Sequence, residues 1–213
     1  MNGLARAAIA AAIVALSGCA SQPTMTRAEY LKTTERVYAD KTPEQVFDAT
    51  EKLFRLADGD DFQFSWADDS MTASRRWSVY LVLAATVGVD NWLVQTKQQP
   101  DGTHVRVGVT TTASAIAPIM TTGGDLTAGA SPSLPGPGVQ GTAIYDVFWA
   151  RLDYLLGKRQ SWMTCQEADA RVKEKITWGD NSQLCNSFNM KDQSPVMAAG
   201  ALPASEVPAT APK

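Results

Sequence analysis

The 213-residue sequence has one histidine, His104, and three cysteines. A closed tetrahedral zinc site takes four ligands, usually Cys and His at short spacings, and this chain supplies too few near one another. Charge of one sign is also scarce: 19 Lys+Arg stand against 22 Asp+Glu, for a net charge of −3. A nucleic-acid binder needs a basic face, so no nucleic-acid partner is expected. No long run of like charge suggests a polybasic membrane patch. The apolar stretch Ala7–Leu16 falls short of the ~20 residues that cross ~30 Å of hydrocarbon, so it is no membrane-spanning helix.

Familiar catalytic patterns are missing too. No G-x-S-x-G elbow accompanies His104, which lies on the polar face of the strand-like "GTHVRV" and reads as structural. The acidic groups Asp58, Asp60, Asp61, Asp68 and Asp69 lack calcium-loop spacing and read as helix-stopping and turn residues. Gly136–Gly141 fits G-x-G-x-x-G, but no strand precedes it, so the dinucleotide fingerprint fails. The expectation is a non-enzyme with no cofactor and no metal. A hydrolase built around His104 is a third reading.

What is present begins with Leu16-Ser17-Gly18-Cys19, which follows a short n-region and the apolar stretch Ala7–Leu16. These residues resemble the lipobox of bacterial lipoproteins. The resemblance implies removal of residues 1–18 as a signal peptide, acyl chains on Cys19, and a mature chain from Cys19 to Lys213. Ala20 is not the aspartate that retains such proteins at the inner membrane of enteric bacteria. The implied location is therefore the outer membrane, facing the periplasm. Multiple acyl chains anchor a domain stably where a single chain binds only marginally.

With Cys19 assigned to lipid, Cys165 and Cys185 remain. An even pair in an exported, oxidising compartment reads as one disulfide. Two free thiols or a metal site are the alternatives, the latter short of ligands.

Residues 19–29 read as the lipidated N-terminus and a polar tether. A single domain is expected over 30–190, with a mobile Gly/Pro-rich loop at 118–141 and a disordered Ala/Pro-rich tail at 191–213. "TTERVYA" (33–39) is strand-like. Thr42, Pro43 and Gln45 form a helix start with a T-x-x-Q capping box, and Val46, Phe47, Thr50, Leu53, Phe54 and Ala57 share one side at helical spacing. The period then falls to two. Phe62/Phe64/Trp66, an odd-position run from Met71 to Leu83 interrupted by Arg75, Trp92/Val94 and Val105/Val107/Val109 predict four strands, with a turn at "GVDN" (88–91). A helix is expected over 142–157. Another opens at Thr164 with a T-x-x-E capping box and extends toward Trp178, with Glu167/Arg171 and Asp169/Lys173 as i,i+4 pairs.

Strand, helix, four strands, loop, helix and helix predict an α+β, two-layer domain: an antiparallel meander of four or five strands packed against helices. This element order is similar to the helix-grip architecture and to modules of the lipoprotein subunit of the outer-membrane barrel-assembly machine. Tyr145, Trp149 and Tyr154 widen the apolar arc of the 142–157 helix and are candidates to line a groove against the sheet. The expected role is a membrane-anchored, non-catalytic interaction or assembly module, its partners the bilayer and envelope proteins. The alternative is a carrier or binder of an apolar ligand such as a lipid in that groove.

Overall fold

The computed structural model describes residues 25–58, 61–81, 84–120, 126–130 and 141–185, with backbone alone for 58, 81, 84, 115–120 and 126–130. The lipobox, the tether up to residue 24, much of the 118–141 segment and the 191–213 tail lie outside the described residues. Two compact units are distinguished, Met1–Leu31 and Lys32–Lys213. The elements in order are α1 (Arg27–Thr34), β1 (Glu35–Tyr38), α2 (Pro43–Asp58), β2 (Phe62–Ala67), β3 (Ser70–Leu81), β4 (Ala84–Gln99), β5 (Gly102–Met120), β6 (Leu126–Ala130), α3 (Ala143–Leu155) and α4 (Cys165–Lys173).

The fold is α+β, with an antiparallel sheet packed against helices. Its order is β1-β5-β4-β3-β2, and β6 also pairs with β5. β1 and β6 take opposite ends of the long β5, opposite residues 103–106 and 116–120. Within the stretch expected to be a loop at 118–141, β5 therefore runs on to Met120 and β6 is paired strand.

The start of α2 follows the capping box read from sequence. Thr42 N donates to Gln45 Oε1 at 3.0 Å, and Gln45 N donates to Thr42 Oγ1 at 3.3 Å. Its apolar side buries Val46, Leu53 and Phe54 against the sheet face that carries Met71, Ala73, Trp92, Val94, Val105, Val107 and Val109. Phe54 lies at the centre, 4.9 Å from Phe62 and 5.2 Å from Trp92 between ring centroids, and Trp92 stacks on Phe148 of α3 at 5.5 Å. Such ring contacts add specific geometry to a large buried apolar area.

Three local expectations are corrected. Residues 88–91 are not a turn: β4 runs straight through them, and the β3–β4 pairing continues to Leu81↔Ala84. Helix α4 ends at Lys173 rather than near Trp178; Lys175 has φ 58° and Gly179 φ 96°, which redirect the chain. Arg171 pairs with Asp146 of α3 at 2.7 Å and Glu167 with Arg159 at 2.9 Å, so tertiary partners replace the Glu167/Arg171 pair. Thr164 still caps α4, its Oγ1 accepting from Glu167 N at 3.1 Å.

Candidate functional site

Burial on the helix-facing side of the sheet stops abruptly along β3. Met71, Ala73 and Arg75 are buried, Trp77 is half-buried, and Val79 is 38 % exposed. The same limit crosses β4 at Asp90 and β5 at Thr111. Beyond it the strands leave their helical cover among the described residues.

A polar node marks this limit. Arg75 and Asp90 face each other in register and are 4 % and 2 % exposed. Arg75 Nη2 donates to Asp90 Oδ2 at 2.8 Å and makes a longer contact to Ser182 O at 3.4 Å. Asp90 Oδ1 accepts from Trp77 Nε1 at 3.1 Å and from Thr111 Oγ1 at 2.8 Å. Two ions removed from water need this degree of satisfaction, because an unpaired buried charge is strongly unfavourable.

Trp77 is held in place from a second side. A Cβ on Gly88 would clash with the Trp77 ring and stand 2.5 Å from Thr112 O. Gly88 is thus required by close approach of the indole, which lies where any side chain would be. Pinned by Gly88 and Asp90, Trp77 forms one wall of a cleft of about 620 Å³, with Val79, Thr111, Asp180 and Gln183 among the other walls. That size lies within the ~300–1,000 Å³ range of small-molecule sites.

The far wall comes from the segment after α4. Cys165 and Cys185 form a disulfide with Cα atoms 5.4 Å apart. Buried Arg151 of α3 reaches the same region: Nε donates to Met163 O at 3.0 Å, Nη1 to Leu184 O at 3.1 Å, and the guanidinium lies 4.7 Å over the Trp162 ring. Thr142 N and Ala143 N both donate to Trp178 O, at 2.8 and 3.0 Å. Tied at both ends, this segment presents Gln183, whose Nε2 makes long contacts of 3.4 Å to Thr111 Oγ1 and to Asp180 Oδ2.

Tyr145 and Trp149, expected to line a groove, are each 2 % exposed and belong to the core. Trp149 Nε1 donates to Thr33 O at 2.7 Å, and Tyr154 packs edge-on against Trp162. The space under α3 is filled because its neighbours on both sides supply apolar side chains. The cleft lies instead at the end of the sheet, on residues the sequence reading treated as ordinary strand or turn. His104 contacts Asp101 at 2.8 Å near the β4–β5 turn, away from the Asp90 node in the strand register. This hydrogen bond holds the Asp101 carboxyl below its usual range.

Asp90 accepts from three side-chain donors, an arrangement suited to holding Trp77. Among the described residues, no group of three His, Cys, Asp or Glu side chains could hold a metal ion. No helix among them is long and apolar enough to cross a membrane. No protein-family model, curated protein or solved structure matches the chain.

Proposed function

We propose that this chain is a non-catalytic, lipid-anchored envelope protein that binds an apolar ligand in the cleft beside Trp77. The carrying observation is the end of the helical cover at the Arg75–Asp90 row among the described residues, which leaves Trp77 and Val79 as an open apolar wall beside polar groups of Thr111, Asp180 and Gln183. A mainly apolar concavity with a few convergent polar groups is the usual form of a small-molecule site. The tether rests on Leu16-Ser17-Gly18-Cys19, with the acyl chains on Cys19 and the domain facing the periplasm at the outer membrane.

Native mass spectrometry of the gently purified full chain tests the reading. A non-covalent adduct of lipid mass is expected, and Trp77→Ala should remove it while leaving the acyl mass on Cys19. Failure to find an adduct, or an adduct that survives Trp77→Ala, refutes the cleft assignment. A protein-binding role in an envelope assembly is the second reading. It is favoured by Val37 and Leu93, 48 % and 42 % exposed on strands β1 and β4.

A further inference from the structure

The outer end of the sheet has a property that the cleft does not use. No charged residue occurs from Trp77 to Val89, or from Val107 to Gly124. These stretches include the parts of β3, β4 and β5 that extend past the Arg75–Asp90 row. From the Trp77↔Gly88 row to the Leu81↔Ala84 row is four residue steps, or about 13 Å at ~3.3 Å per residue.

Among the described residues, both faces of this extension carry exposed side chains. Successive strand residues point to opposite faces, so Val79 and Tyr80, 38 % and 80 % exposed, look in opposite directions. A concavity of about 530 Å³, lined by Arg76, Ser78, Val87 and Ser114 among others and sharing Trp77 with the cleft, includes the opposite face of the strands. The pairing of β2 with β3 ends at Phe62↔Arg75. The β3 edge beyond it carries no Lys, Pro or other charge from Trp77 to Leu81, the usual guards of an exposed edge. A fluid apolar medium can cover both faces of a sheet at once. Complementarity of charge points the same way, since an uncharged slab enters an apolar medium without desolvating an ion.

We propose that this end of the sheet is a contact with a lipid bilayer, separate from any acyl chain on Cys19. Tyr80 would sit at headgroup level, where amphipathic rings are favoured. Entry is shallow, because unpaired N–H and C=O groups of an open edge do not lie in the hydrocarbon core. The proposal does not depend on a ligand in the cleft.

Hydrogen-exchange mass spectrometry of the full chain, with and without phosphatidylcholine vesicles, tests it. Amides of 77–81 and 85–89 should slow by about tenfold on vesicles, while those of Phe62–Ala67 stay unchanged. Val87→Asp, which lies outside the cleft, and Tyr80→Asp should each abolish the slowing while exchange of Phe62–Ala67 stays protected. Unchanged exchange at 77–89 would overturn the proposal. So would slowing that survives both substitutions, or slowing seen only with anionic vesicles and lost at high salt. The adduct experiment on Trp77→Ala is run without vesicles, so either reading can fail alone.

Discussion

Replacing Asp90 by alanine is the most direct test of the polar node. The change takes the Asp90 carboxylate away from the Arg75 guanidinium, which is 4 % exposed, and removes the acceptor used by Trp77 Nε1 and Thr111 Oγ1. Breaking a buried ion pair from one side costs about 3–5 kcal/mol. Against the ~5–15 kcal/mol that separates a folded domain from its unfolded chain, this is about a fifth of the total or more. With a urea slope of about 2 kcal/mol per molar, a loss of ~4 kcal/mol moves the midpoint down by ~2 M. Asp90→Asn keeps one acceptor oxygen and loses the charge, so a smaller drop of about 2 kcal/mol is expected. The paired replacement Arg75→Met with Asp90→Leu removes both ions, and should be clearly more stable than Asp90→Ala alone. Urea unfolding followed by tryptophan fluorescence measures all three. A midpoint shift under ~0.5 M for Asp90→Ala, or a double variant no better than the single one, would refute the assignment of the node as a coupled buried pair.

Other expectations follow from the same contacts. Reducing Cys165–Cys185, which lie 20 residues apart, should cost about 3 kcal/mol in the chain-entropy picture, read as a lowered melting temperature in dithiothreitol. Gly88→Ala must displace the Trp77 indole, at a cost of ~1–3 kcal/mol for overpacking, and should abolish the lipid-mass adduct along with Trp77→Ala. The Asp101 carboxyl, whose range is lowered mainly by the His104 hydrogen bond, contributes stability above the ordinary carboxylate range and loses it as pH falls through the lowered value. Carbon-detected NMR titration should place its midpoint below that of a free aspartate, and His104→Ala should move it back up.

The parts of the fold that were legible in the sequence are those set by neighbours in the chain. The Thr42–Gln45 box, the apolar side of α2 and the alternation through Val105, Val107 and Val109 each depend on a few adjacent residues. Cysteine parity gave the disulfide. Partners set by distant contacts were not legible. Glu167 turns to Arg159 and Arg171 to Asp146 because those groups lie closer in the folded chain than the helix-surface neighbours do. The aromatic spread of α3 carried its own warning. A helix apolar nearly all round is a buried helix, and Tyr145 and Trp149 are accordingly core rather than groove.

One misplacement accounts for most of what was missed at the site. Reading Gly88–Asn91 as a turn put Asp90 in a loop, where a carboxylate needs no partner. Glycine usually weakens a strand, yet here it is the residue that lets an indole approach the neighbouring strand closely. With β4 drawn straight through Gly88, the register faces Asp90 with Arg75, the one residue that interrupts the odd-position apolar run of β3. Opposite charges on the apolar faces of adjacent strands then predict a buried pair, since neither could be buried there alone. The same straight β4 carries the pairing out to Ala84 and exposes the uncharged end of the sheet. The Arg75–Asp90 node and the open extension beyond it are therefore two consequences of one strand continuing where its sequence suggests that it stops.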